Sequence, residues 1–461
     1  IYTVPDVNQY PSSSQNENPV EKKSEQKMEF SENNFSSNDL GKKDDLNRFN
    51  QSTTNSEKTY EDVSIENGDL FLKFSSKGGI ISEALLKNFN DYKGDPLFVV
   101  KDFNQKLNLS FSTLDGRLIN TQNYFFEPII NEDSERTIVK MMLNISEKQS
   151  LVFEYILPKT GFMLDFNIRS RGLNNIIDTS KSISLNWDLK AFRQAKSVDY
   201  ENRYSQLYYQ YDGGDTNYLS SYSDSDKNED SVTWISYGQH FFNSILVLDS
   251  PIDNVSFESK KLFEDQGKDV LFTKNYITNI PIKMNQSEFG SEFNFYIGPN
   301  DYDVLKKYEN NIYESIYFGW GIFGWINRFI YFPLFGFLSK YFSAGLVVIL
   351  MTIITRLAMS PVTYKTYVSQ ARMKVIRPDV MELSEKFKND AVKKQQETMK
   401  LYNKAGANPL LGCVPALFQL PVFYALFCFF PIAFQLRGKS FLWADDLSSY
   451  DVIAELPFSI P

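Results

Sequence analysis

The sequence predicts a multi-domain membrane protein, an all-β sandwich followed by an α-helical transmembrane core. Three observations carry that class. Between Val63 and Ile297 short apolar runs alternate with period two and are punctuated by turn residues. From Phe342 to Val362 an oily run long enough to span a bilayer contains a single ionisable residue, Arg356. From Leu410 to Phe434 a second run carries no charge.

Composition removes several function classes. A net charge of -9 over 461 residues argues against a nucleic-acid binder, whose footprint is a basic face. Aromatic residues make up 15% of the chain, which suits a large β-domain together with a membrane-interface surface. The two cysteines, Cys413 and Cys428, both lie in the second oily run, so no disulfide framework is expected. A single histidine, His240, rules out an HExxH zinc site and most zinc ligand sets. Without a phosphate-binding or dinucleotide-binding fingerprint either, no catalytic residue, metal or cofactor is expected, and His240 reads as structural.

Residues 1–58, rich in Ser, Asn, Gln, Glu and Lys, read as a disordered linker. The chain opens Ile1-Tyr2 without a visible targeting signal, so a signal or span is expected ahead of it to export the β-domain. That domain occupies residues 59–300. Phe162, Leu164, Phe166 and Ile168 alternate with polar neighbours, and Leu151 to Leu157 precedes them across Pro158–Gly161, which predicts a hairpin. Further strands are expected over Leu70–Phe74, Ile183–Leu189, Ser244–Leu248, Val270–Thr273 and Glu292–Ile297. The pairs Gly78-Gly79 and Gly213-Gly214 read as turns, since glycine reaches positive φ without steric cost.

Residues 301–341 form a connector and an amphipathic helix. Its Trp320, Trp325, Phe329, Tyr331 and Phe335 suit the outer interface, with a complete extra span as the competing reading. Residues 342–363 are the first transmembrane helix, in which Thr352, Arg356, Ser360 and Thr363 share one face. An arginine at a helix centre costs roughly 2.5–3.5 kcal/mol, so it marks a functional site by default. Arg356 lies in the last third of the run, however, where a long side chain can also snorkel to the interface.

Residues 364–404 read as a helical hairpin turning at Asn389-Asp390, with Pro378 at the first position of a helix. Its excess of basic residues, Lys374, Arg377, Lys386, Lys388, Lys393 and Lys394 among them, places it in the cytoplasm. A solvated charged linker is the plainer alternative. Residues 405–436 contain the second span, whose Gln419 and prolines 415, 421 and 431 require neighbouring helices or water to satisfy them. Residues 437–461 return to the outer side, with Phe441 and Trp443 at the interface.

The segments Thr355-Arg356-Leu-Ala-Met-Ser-Pro361, Asn408-Pro409-Leu-Leu-Gly412-Cys413-Val-Pro415, Gln419-Leu-Pro421-Val-Phe423 and Phe441-Leu-Trp443 come one after another in an order that resembles the YidC membrane-protein insertases. Upstream, Lys77-Gly78-Gly79, Trp234 and Gln239-His240-Phe241-Phe242 resemble the periplasmic domain of the Gram-negative members. The resemblance implies a periplasmic β-supersandwich akin to sugar-mutarotase folds, in a multi-pass protein of the bacterial inner membrane. It also implies an insertase and chaperone for nascent membrane proteins, acting alone or with the Sec translocon, with the ribosome as a further expected partner. On that reading Arg356, Thr352, Ser360 and Gln419 line a hydrophilic substrate groove, and the basic hairpin contacts incoming substrate or ribosome. The family's first span and three further core spans would lie outside residues 1–461. Two other functions stay open on the residues alone: a membrane-anchored envelope carbohydrate-binding protein, and an anion channel or transporter built on Arg356.

Overall fold

The computed structural model describes residues 60–263, 270–285, 288–406 and 414–450. The expected linker 1–58, part of the approach to the second span with Cys413, and residues 451–461 of the final loop lie outside them.

Every strand pairing in the β-domain is antiparallel. A ten-stranded sheet runs, in spatial order, through Asp215–Tyr218, Leu207–Tyr211, Val232–Gln239, Phe242–Ile252, Glu288–Pro299, Met163–Arg171, Gln149–Pro158, Arg136–Ser146 and Glu127–Glu132, with Met284–Asn285 paired beside Glu288–Pro299. A six-stranded sheet places Ile183–Phe192 between Phe272–Ile282 and Gln105–Ser112, and a four-stranded meander spans Val63–Val100. The hairpin expected across Pro158–Gly161 is present, with Ile156 opposite Asp165. The strand expected at Val270–Thr273 begins at Phe272 instead and continues to Ile282. Its inward positions include Thr273 and Thr278, which weaken the apolar alternation that would have marked its full length.

The sheets face each other across one core. Trp187 of the six-stranded sheet stacks on Tyr237 of the ten-stranded sheet, with ring centroids 3.8 Å apart. The Tyr237 hydroxyl donates to Trp187 O at 2.9 Å, and Tyr276 donates to Gly238 O at 2.8 Å. Tyr155 donates to Gly79 O at 3.0 Å, pinning the meander to the larger sheet. These rings are fully buried, so each supplies apolar area while its polar tip stays hydrogen-bonded.

Eight α-helices complete the described chain: α1 (Val198–Tyr204), α2 (Tyr302–Leu305), α3 (Gly321–Ile326), α4 (Phe332–Ser339), α5 (Ala344–Val375), α6 (Arg377–Lys386), α7 (Ala391–Lys404) and α8 (Val414–Ile432). A π turn, Asn327–Tyr331, joins α3 to α4, and the continuous Gly321–Ser339 helix and α5 are each long and apolar enough to cross a membrane. The expected boundary at residue 363 is not a break, because α5 runs 32 residues through Pro361 to Val375. Beyond it α6 starts with Pro378 in its first turn, and Asp390 caps α7 by accepting from Lys393 N at 3.0 Å.

The β-domain and the helices share a second apolar cluster, in which Trp234, Ile245 and Tyr296 of the large sheet meet Phe332, Phe335, Met351 and Phe429. Polar contacts fix the same seam. Trp234 Nε1 donates to Asn310 O at 3.0 Å, and Gln435 Nε2 donates to Asp301 Oδ2 at 3.2 Å. His240 sits with φ +57° in the two-residue turn between Gln239 and Phe242, and its Nε2 lies 2.8 Å from Pro431 O at the end of α8. A carbonyl can only accept, so Nε2 carries the proton and Nδ1 is bare; it is buried without a partner among the described residues.

Candidate functional site: a polar groove between two apolar helices

The 3.6-residue period of α5 stacks Thr352, Thr355, Arg356, Met359, Ser360, Thr363 and Tyr367 along one side. The α8 helix sets Gln419, Val422, Phe423 and Leu426 opposite them, and the two rows enclose a cavity of about 480 Å³. The structure therefore brings Arg356, Thr352, Ser360 and Gln419 to one place. Thr355, Tyr364 and Tyr367 join them, residues that sequence reasoning misses although they continue the same i, i+3/i+4 series.

The polar groups line the α5 wall, the α8 wall is apolar apart from Gln419, and the exterior around both is oily. Leu346, Ile349, Ile353 and Leu357 on α5 are exposed, as are Leu417, Leu420 and Phe427 on α8. Thr352 Oγ1 donates back to Val348 O at 2.9 Å and Thr363 Oγ1 to Met359 O at 3.0 Å, which leaves their lone pairs facing outward. Pro361 has no N–H to give Leu357 O, so a backbone acceptor is released beside Ser360. Arg356 is exposed and has no hydrogen bond or ion pair among the described residues. Among the described residues the groove lining contains no carboxylate, histidine or cysteine. Such a set can solvate and attract, but it offers no general base and no metal ligands.

The basic residues of the hairpin do not reach this cavity. Lys374 ends α5, Arg377 and Lys386 bracket α6, Lys388 lies in the turn, and Lys393 and Lys394 open α7. Lys386 and Lys393 lie over the Phe387 ring at 6.0 and 5.9 Å, and Met381 and Met399 stay exposed, so the hairpin is held by few apolar contacts. Of the seam residues, which in sequence stand only as part of a motif, His240 anchors the β-domain to the end of α8 and Trp234 anchors it to the connector at Asn310.

Comparison with known proteins gives a consistent result over nearly all the described chain. The family described as the YidC periplasmic domain matches residues 62–333, more than half of the chain, and the 60Kd inner membrane protein family matches residues 336–460. The chain belongs to the YidC family. Relatives named as the membrane protein insertase YidC include one from Parabacteroides distasonis, 35% identical, with 86% of this chain aligned to 64% of that protein. A second, from Porphyromonas gingivalis, is 34% identical over 87% of this chain and 66% of its own length. A third, from Amoebophilus asiaticus, is 34% identical, with 68% of its length covered. The chain thus spans about two thirds of the length of these YidC relatives. Among solved structures, an active YidC insertase superposes with a TM-score of 0.30 and 16% identity, over 84% of this chain and 76% of the other.

Proposed function

We propose that residues 342–436 form part of the substrate path of a membrane-protein insertase in a bacterial inner membrane, with α5 and α8 crossing the bilayer. The observation that supports this most is the unpaired Arg356 sharing one cavity with Thr352, Ser360 and Gln419 inside an exposed apolar surface. In hydrocarbon that set would be expensive, so the cavity holds water and lowers the cost of bringing a polar, acidic segment into the membrane. The apolar part of the substrate then partitions into lipid along α5 and α8, which supplies the drive without a cofactor or covalent step.

The β-domain, the start of α5 and the end of α8 meet at one end of the helical region. Phe441 covers Gly345 there, and His240 reaches Pro431. Arg328 within the Gly321–Ser339 helix pairs with Glu314 of the connector at 3.1 Å. This favours a helix lying along the outer interface over one that crosses. With the basic hairpin in the cytoplasm by the positive-inside rule, the β-domain is periplasmic. The hairpin lysines and arginines, Lys374, Arg377, Lys386, Lys388, Lys393 and Lys394, offer an electrostatic landing surface for nascent chains or the ribosome, and the Sec translocon is a partner by the same reading.

The groove charge is tested with the full-length protein reconstituted in liposomes and a small acidic-tailed membrane protein as substrate. Arg356→Ala is expected to lower insertion about tenfold, the effect of ~1.4 kcal/mol, while Arg356→Lys keeps much of it. Equal insertion by Arg356→Ala and the unmodified protein would sink the groove-charge mechanism.

A further inference from the structure

Where the β-domain meets the outer end of α8, a second cavity of about 680 Å³ opens, far from the groove. It is framed by the turn at residues 88–94, the segment 194–196 and the loop 434–449. Four cations line it: Lys93, Lys196, Arg437 and Lys439. None of them forms an ion pair among the described residues.

Three acids also line it, and each accepts hydrogen bonds from the loops around it. Asp91 Oδ1 accepts from Lys93 N at 2.8 Å and Asp95 N at 2.9 Å. Asp301 accepts from Asp303 N, Val304 N and Gln435 Nε2. Asp446 Oδ1 accepts from Gly438 N, Ser448 N and Ser448 Oγ, at 3.0, 2.9 and 2.8 Å. These carboxylates cap loops and keep their charge, so four cations against three acids leave the lining with a small positive excess. Arg437 is the clearest case among the cations. One of its amino groups donates to Asn90 O at 2.7 Å and its guanidinium lies 4.8 Å from the Phe242 ring centre, yet it has no carboxylate at salt-bridge distance. Burial works against the Arg437 charge, and the nearby Asp446, Glu201 and Asp91 favour it without closing an ion pair.

The position of the cavity selects the anion. Arg437 and Lys439 lie within a few residues of Ile432, where the apolar helix ends, and Leu442 and Trp443 of the same loop are 75% and 82% exposed. A phosphate whose apolar remainder continues into the bilayer meets both features, since exposed aromatic residues prefer the headgroup level. The volume admits a glycerophosphate group with room to spare. We propose that this seam cavity binds the phosphate of an outer-leaflet anionic phospholipid, locking the β-domain to the outer end of α8. The proposal rests on the reading that α5 and α8 cross the membrane.

Binding is measured on the full-length protein in a neutral detergent, by thermal shift and native mass spectrometry, with dihexanoyl phosphatidylglycerol as probe. Dihexanoyl phosphatidylcholine and inorganic phosphate are the comparison arms. One phosphatidylglycerol per chain is expected to bind saturably, with affinity falling at least about tenfold in a Lys196→Gln/Arg437→Gln/Lys439→Gln variant. Lys388→Gln/Lys394→Gln, on the opposite side, should leave it unchanged, and Arg437→Lys, which keeps the charge, should retain much of it. Equal binding by the triple variant, or by phosphatidylcholine, overturns the proposal. Inorganic phosphate binding as tightly as the lipid overturns the lipid assignment in favour of a soluble anion. Insertion activity is scored separately, so loss of lipid binding with insertion intact, or the reverse, shows which of the two readings has failed.

Discussion

The β-domain and the groove treat a polar group inside an apolar setting in opposite ways. In the β-domain the hydroxyls of Tyr155, Tyr237 and Tyr276 are buried, and each is tied to a backbone carbonyl or neighbouring side chain. Between α5 and α8, Arg356 and Gln419 are exposed in a cavity and Arg356 has no protein partner among the described residues. Satisfied polar groups rigidify, whereas unsatisfied ones remain available to something that arrives. Stability is therefore concentrated in the sheets, and the capacity to interact is concentrated in the groove.

The strongest way to break that division is to exchange the roles of the two regions. Trp187→Ala removes the largest ring of the inter-sheet core, which is 0% exposed, and is expected to destabilise the β-domain by about 3–5 kcal/mol. Arg356→Ala should change the same quantity by less than ~0.5 kcal/mol, because it lies away from any packed feature. Denaturant unfolding followed by far-UV circular dichroism on the full chain measures both. A large stability loss at Arg356 would mean that the groove is structural and the division is wrong.

How far each region is legible in sequence depends on the range of its interactions. The polar stripe Thr352, Arg356, Ser360 is local, repeating at helical spacing, so one helix suffices to read it. Gln419 reads from the residues alone as a lone amide in an uncharged run, and only the family resemblance puts it in the groove; its place opposite the stripe depends on how α5 packs on α8. Tyr364 and Tyr367 escape because the boundary expected at residue 363 assigns them to the hairpin, whereas α5 carries its face on to Val375. In the β-domain, alternation exposes the strands with aliphatic inward faces and hides Phe272–Ile282, whose inward face includes threonine. The seam is not legible at all, since His240 meets a carbonyl 191 residues away through a contact that no local pattern encodes.

That seam offers a sharper comparison of intermediate size. A methyl group at Gly345 would overlap the ring of Phe441, so Gly345→Ala must push the outer loop off the start of α5. The expected cost is about 1–3 kcal/mol, typical of overpacking. Hydrogen exchange should rise in residues 437–450 and stay unchanged in Ile183–Phe192. Faster exchange throughout the sheets would show that the helices and the β-domain unfold as one unit rather than two.

The smallest effect separates the two regions by pH. Burial, reinforced by the charge of Arg437, pushes the His240 imidazole down to about 4, although its hydrogen bond to Pro431 O pulls the other way. An unfolded histidine titrates near 6.5, so between these values the unfolded chain binds the extra proton and the folded chain does not. His240 therefore leaves stability unaffected above pH ~6.5 and subtracts from it as pH falls towards 4, by at most ~1.4 kcal/mol per unit. The imidazole stacks on Tyr204 and edges against Tyr200, neither of which titrates in that window, so the slope belongs to the histidine. Carboxylates elsewhere add their own acid sensitivity, and the difference between the unmodified chain and His240→Gln removes it. The gap between the two unfolding midpoints should begin to change at pH 6.5 relative to 7.5 and change most at 5.5, because the glutamine side chain does not titrate. Because His240 grips the end of α8 rather than the groove, insertion by His240→Gln at pH 7.5 should match the unmodified chain if the seam only stores stability, and fall if the seam also sets where Gln419 stands.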